Sequence, residues 1–475
     1  MKTLSIVAAL AAMLSSSVSA RAAEPDKYAD PATCAIRLYG PAAELKDQAE
    51  THPASFVIIK GKGSLIWQVV VAERGLYQLA LCYAADGPGG RVTVASPRAV
   101  ITSSLDATKG FFVKAGHEQY GFPAWMFANY ERIAVPGELL LTVGRNQVSL
   151  EIERPGGGVT YFRSLELLRA SDREAADAEA AKAKRSRAKT DWLAWAGYGV
   201  MFHYTAQCVP QEGKQLPYAE AVKRFDVNAF ADMVAETGAS YVIFTANHTE
   251  PHFPGPLKEW EAVHPGSTTK RDLIGDIADK LKEHDIKLIL YLDIGVLGNC
   301  PKATEQEFID TAQKLIAAVG ERYGTKIAGY WLDGFVGACE KYPNLPFQSF
   351  YEAGKKGNPD RITCFNSWIF PVETVWQDYW AGEVVVPGTP YVARVFEDGP
   401  GRGLQYHTLL ALNGHWLHVR PDVALFDVKE LAEHIRQCAT RGSAVTINLG
   451  INQDGTIGAR TLAYMKQLRK IVRGD

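Results

Sequence analysis

From Trp192 onward one pattern repeats: a short apolar run rich in β-branched and aromatic residues, then a stretch with helical spacing. The runs fall at 199–205, 241–246, 287–293, 328–333, 362–368, 392–397, 410–419 and 444–449. Between many of them, as at 225–237, 271–283, 304–319 and 428–439, apolar residues recur three and four apart, the spacing of one buried helix face. Strands that alternate with helices pair in parallel, and eight of them predict a (β/α)8 TIM-like barrel over residues 191–475. Such barrels collect their working residues at the C-terminal strand ends. The polar residues that end these runs are His203, His248, Asp293, Asp333, Asn366 or Ser367, Glu397, His415 and Asn448. All would converge on one mouth. Residues 370–391 lack a helical pattern and are expected to form a long loop on that face.

A chain of 475 residues, 47% of them hydrophobic, is long for one core, so a second domain is expected. Residues 24–170 carry it. Strand-like stretches at 55–59, 65–71, 75–83, 91–95, 139–143 and 147–153 are separated by turn signals such as Gly87-Pro88-Gly89-Gly90. Many short strands with glycine-rich turns predict an all-β sandwich. The run GLYQLALCYA followed by LTVGRNQVSLEI resembles the jelly-roll, carbohydrate-binding-module-like domains attached to glycan-active enzymes. Sugar binding, a spacer role and oligomerisation are all open to it. Residues 171–190 are Ala-rich and highly charged, and read as a charged linker, helical or flexible, or as the next domain's first surface helix.

Residues 1–20 read as a secretory signal peptide: Lys2 ahead of a short apolar stretch, then Val18-Ser19-Ala20 as a cleavage site. No later segment is apolar for long enough to cross a membrane, so an exported protein, periplasmic or extracellular, is expected. The net charge of −2 offers no pull on nucleic acid. Seven cysteines without a C-x-x-C pair read mostly as small core residues. No oligomeric state is implied.

Asp333 ends the apolar run GYWLDG. A carboxylate ending a buried strand is either a cap for the next segment or a reacting group. Gly334 lets the chain turn and leaves room beside it. Glycoside hydrolysis needs a second carboxyl group to protonate the leaving oxygen, and Glu383 in DYWAGE and Glu397 in RVFEDG are candidates, with Glu373 and Asp378 nearby. His203 and His248 could bond sugar hydroxyls. Trp331, Trp368, Trp376, Tyr379, Trp380 and Trp416 could stack on a sugar or pack the core. His248, Glu250 and His252 lack the spacing of an HExxH site, with Pro251 between them, so no metal is expected.

Taken together, these motifs resemble the α-L-fucosidases of glycoside hydrolase family 29 over residues 195–457. GYGVMFHYT is similar to the family's first strand, FDVNAFADMVAETGASYVIFTANH to its second unit, KRDLIGDIADKL to its K-R-D-L stretch, GYWLDG to the nucleophile strand and SAVTINLGINQDGTIG to the last strand. The resemblance implies exo-action on α-L-fucosides of an oligosaccharide or glycoconjugate, with retention and no cofactor. It implies Asp333 as nucleophile, Glu383 as acid/base with Glu397 as second choice, and His203 and His248 as sugar ligands. Tyr204, also expected to bind the sugar, stands where the family's first motif has a Trp, Thr249 replaces a second histidine and Ser367 replaces an arginine. These departures extend the expected substrate to a sugar related to fucose. A catalytically silent carbohydrate-binding barrel is the alternative reading.

Overall fold

A computed structural model describes residues 28–87, 89–108, 123–298, 300, 302–383, 387, 395, 396, 401–414, 416 and 422–474. The leader at 1–20, Glu397 and His415 lie outside the described residues.

The N-terminal domain is a nine-stranded antiparallel sheet built from β1 (Ile36–Tyr39), β2 (Glu44–His52), β3 (Phe56–Val71), β4 (Gly75–Ala85), β5 (Arg91–Ser96), β6 (Ala99–Ser104), β7 (Glu131–Leu141), β8 (Gly144–Glu153) and β9 (Val159–Arg169). The order is β6-β5-β8-β3-β9-β4-β7, with β1 on β9 and β2 on β3. The sheet curls until its ends meet, and Ser96 Oγ donates to the Leu140 carbonyl at 2.9 Å, which gives a barrel-like form. Alternation drives it: along β3, Leu65, Trp67, Val69 and Val71 are buried while the residues between them face outward.

The stretches expected separately at 55–59 and 65–71 are one strand. It pairs with β9 before Gly61 and with β8 after it, and Gly61 makes the corner at a φ of 71° that disfavours side chains. Strands β1, β2, β6 and β9 had no reading in the sequence. β9 is central to the sheet, but Arg163 and Glu166 interrupt its apolar pattern; both are buried and ion-paired.

Within the stretch 171–190, expected as a charged linker, helical or flexible, or as a first surface helix, Arg173–Ser186 form a helix. It packs on both domains. Ala176 joins Ala32, Ala35 and Leu168 of the β-domain, and Ala183 is buried in the core of the second domain. Glu179 accepts from Thr33 Oγ1 at 2.5 Å and from Trp376 Nε1 at 2.9 Å.

Among the described residues the second domain is a curved parallel sheet, a half-barrel of seven strands: β10 (Tyr198–Phe202), β11 (Tyr241–Asn247), β12 (Lys287–Asp293), β13 (Gly329–Asp333), β14 (Ile362–Phe365), β15 (His407–Ala411) and β16 (Ala444–Asn448). The order is β14-β13-β12-β11-β10-β16-β15. Parity sorts its side chains into two cores. Val200, Phe202, Val242, Phe244, Leu290, Leu332 and Val445 pack outward against the helices. Met201, Ile243, Ile289, Tyr291, Trp331, Cys364 and Leu409 pack inward.

One strand expectation is corrected. The run at 410–419 is replaced by β15 at His407–Ala411, whose opening His407 and Thr408 are polar yet fully buried. The run at 392–397 lies largely outside the described residues. Residues 378–383, within the expected loop, carry no named helix or strand and bridge the two edge strands of the sheet. Asp378 N donates to Thr363 O at 2.8 Å beside β14, while Trp380 N donates to Gln405 O at 3.0 Å and Leu409 N to Gly382 O at 2.8 Å beside β15. Gly382 has a φ of 63°, and a Cβ there would lie 2.0 Å from the His407 carbonyl, so no larger residue fits.

Candidate active site

The strand period brings one set of polar side chains to the inner mouth. On β13, Trp331 faces inward, so Asp333, two residues later, does as well. Asp333 does not cap the helix that follows. That helix, Phe335–Lys341, begins at Gly334 with no side-chain cap bond. Both Asp333 oxygens accept hydrogen bonds instead, Oδ2 from the Tyr291 hydroxyl at 2.5 Å and Oδ1 from Asn366 Nδ2 at 3.0 Å.

The same Asn366 nitrogen donates to Glu383 Oε2 at 2.5 Å. One amide therefore touches both carboxyl groups. Its orientation is set from behind, because Asn366 Oδ1 accepts from the Trp368 backbone N–H at 2.9 Å. Burial and the neighbouring Asp333 charge push Glu383 up to about 8, against the opposing pull of the Asn366 bond.

Asp293 pairs with Asp333 in the β12–β13 register. It caps the short helix Ile294–Leu297 through Val296 N at 3.1 Å. Burial and Asp333 push it up to about 6. Gly334, at a φ of 81°, makes this approach possible: a Cβ there would stand 2.7 Å from Asp293 Oδ1.

His203 and His248 line the opposite side, with rings 5.4 Å apart. His203 is odd-numbered and faces inward from the end of β10. His248 reaches the pocket through a bulge between Thr245 and Asn247 that shifts the register by one residue. Asn448 Nδ2 donates to the Trp416 carbonyl, which turns its Oδ1 to His203 Nδ1 at 2.9 Å. His203 Nδ1 is thus the donor, and its Nε2 remains an acceptor. Burial, then the adjacent His248, push His203 down to about 3, so the ring is neutral. Burial lowers His248 as well, against the pull of Asp333. Its Nδ1 is buried without a partner among the described residues. Thr249 follows with a φ of 60°, a strained state for a β-branched residue.

The other expected sugar ligands divide. Trp331 lies beneath the carboxylates, buried and stacked on Tyr291 at 5.0 Å. Trp368 stands at the rim, beside the β-domain, 5.8 Å from Trp125. Tyr204 and Trp380 are not brought to the pocket, and parity is the reason. Tyr204 continues the outward set of β10, packs on Tyr218, Phe225 and Phe244, and bonds Gln453 O at 3.0 Å. Trp380 points outward between inward Tyr379 and Ala381, against Phe396 and Tyr406. The sequence reading gave Tyr291 no role. The signal was present in KLILYLD, where the two-residue step from Asp293 puts Tyr291 on the same face. Among the described residues no His, Cys, Asp and Glu cluster could hold a metal ion, and no helix is long and apolar enough to cross a membrane.

A family model described as alpha-L-fucosidase matches residues 218–473, more than half of the chain. A putative alpha-L-fucosidase of Caenorhabditis elegans is 34% identical over 70 residues, 14% of this chain and 14% of that protein's length. Among solved structures, alpha-L-fucosidase AlfC from Lactobacillus casei with its alpha-L-fucose product is 15% identical, covers 60% of this chain and 99% of that one, and has a TM-score of 0.45. The endo-fucoidan hydrolase P5AFcnA from glycoside hydrolase family 107 is 15% identical, covers 59% of this chain and 92% of that one, with the same TM-score of 0.45.

Proposed function

The chain belongs to the alpha-L-fucosidase family, and from that premise we propose a retaining exo-glycoside hydrolase that acts on α-L-fucosides or a closely related sugar. The observation that carries this reading is the Asn366 amide held between two carboxyls. Bonds of 3.0 and 2.5 Å from one nitrogen keep the bonded oxygens within the separation of about 5–5.5 Å that suits a nucleophile and its acid partner.

Asp333 attacks the anomeric carbon as the glycosidic bond breaks. Glu383, which keeps its proton to about pH 8, gives it to the leaving oxygen. The resulting glycosyl-enzyme is then hydrolysed by water, whose proton Glu383 takes back. His203 Nε2 and His248 Nδ1 face the sugar hydroxyls. Two-sided bonding of residues 378–383 supports their reading as the remaining strand of a (β/α)8 barrel over 191–475. The curled sheet supports a jelly-roll module over 24–170. The leader at 1–20 directs export, to the periplasm or beyond the cell.

Hydrolysis of 4-nitrophenyl α-L-fucoside followed by proton NMR tests the proposal. The α anomer of the free sugar should form first. First formation of the β anomer would sink retention. No turnover of this substrate, or of the L-galactoside and L-arabinoside, would sink the hydrolase in favour of a binding protein. Glu383→Gln should lower kcat/KM for sugar leaving groups about 10²-fold or more and lower it much less for 4-nitrophenolate, which departs without a proton.

A further inference from the structure

Resting on that reading, we infer that the β-domain builds part of the leaving-group subsite: His52 and Trp125, with Trp368 of the parallel-sheet domain, form an aromatic platform for the pyranose ring that departs.

A general acid has to reach the leaving oxygen, so the departing ring lies on the side of Glu383. Asn366, which bonds Glu383, is tied through its side-chain oxygen to the backbone of Trp368. Trp368 therefore borders the path of the leaving group. Its φ of 52° is costly for a large L residue, and the conformation carries the indole across to the β-domain. There it meets Trp125, from the short helix Ala124–Phe127, edge to face at 5.8 Å and 81°. His52, at the end of β2, meets Trp125 at 4.7 Å and stacks on Phe56 at 4.4 Å.

Exposure separates this strip from its backing. Phe56, Tyr130 and Phe370 are buried behind it, whereas His52, Trp125 and Trp368 are only half-buried. Aromatic faces flanked by polar edges match the C–H face of a pyranose. The platform is also held fixed. Arg37, Arg132 and Arg163 of the β-domain enclose Glu373 of the second domain at 3.7, 3.8 and 3.7 Å. Arg37 and Arg132 further donate to the Glu373 and Val372 carbonyls, each at 2.8 Å. A β-domain anchored this way presents its rings without a prior docking step, which lowers the cost of binding.

The test uses the full-length chain and Trp125→Ala, with two substrates. α-L-Fucosyl fluoride has no leaving-group ring; an α-L-fucosyl-galactose disaccharide has one. The ratio of kcat/KM for the disaccharide to that for the fluoride should fall about five- to tenfold in the variant, chiefly through KM, and Trp125→Phe should restore most of it. Equal loss on both substrates, or an unchanged ratio, overturns the platform. Calorimetry on Asp333→Asn reads the same quantity without turnover. The disaccharide should bind more tightly than methyl α-L-fucoside, and Trp125→Ala should erase that increment; an increment that survives overturns the platform. If the wild-type chain turns over neither substrate, the hydrolase reading falls, while this binding increment still decides the platform.

Discussion

Residues 366–383 give one acid to each of two groups, and the groups are solved in opposite ways. At the domain seam Glu166, Glu340 and Glu373 meet the guanidinium groups of Arg37, Arg132 and Arg163. At the pocket Asp293, Asp333 and Glu383 meet, among the described residues, hydroxyl, amide and backbone N–H donors and one another. The seam opposes each carboxylate with a cation, and its charges lock two surfaces together. Among the described residues the pocket crowds carboxyls without a paired cation, so part of the group retains its protons near neutral pH. Acids matched with arginine hold structure; acids left among themselves can exchange a proton.

Four changes would break or sharpen that contrast. The largest effect belongs to Asp333→Asn, which should lower kcat on 4-nitrophenyl α-L-fucoside by about 10³-fold or more, roughly 4 kcal/mol of barrier. A loss under about tenfold would remove Asp333 from the chemistry. Next is Glu373→Gln. Leaving three buried guanidinium groups short of one countercharge should cost about 3 kcal/mol, measured by denaturant unfolding of the full chain; a change within about 0.5 kcal/mol would show that the seam does not depend on this charge.

Tyr291→Phe removes a side-chain donor to Asp333 and should cut kcat about tenfold in steady-state assays, with little change in unfolding. The smallest effect is one of pH. The kcat/KM profile should fall above about 8 as Glu383 gives up its proton, and Glu383→Gln should lack that limb. Stability carries the same sign. Between the ordinary Glu value of 4.5 and about 8 the folded chain holds a proton that the unfolded chain has released, so folding weakens as pH rises across this window. Glu383→Gln cannot ionise and should unfold at a higher temperature than wild type at pH 9, with the gap closing by pH 4. A gap independent of pH would contradict this account.

Much of the parallel-sheet domain was legible because most of its strands pair an apolar run with a polar end. Asp333 and His203 were readable from their runs. His248 was named for the right strand, though the bulge that turns it inward leaves no mark in YVIFTANH. Segment 378–383 was hidden because DYWAGE mixes a buried acid with a left-handed glycine and shows no strand alternation. Tyr204 and Trp380 were misassigned for want of one step: counting by twos from His203 and Glu383 puts both on the outer face. Trp125 could not be found from sequence at all, since its place beside Trp368 depends on a contact between residues over two hundred positions apart.

Glu179 accepts one hydrogen bond from each half of the molecule, through Thr33 and Trp376. The connecting helix is therefore a rivet rather than a tether. Modular engineering that transplants the parallel-sheet half alone would strip Trp376 of its acceptor, bare the alanine face of that helix and uncover Glu373. A viable graft has to cut upstream of residue 28 and carry both halves as a single heritable block.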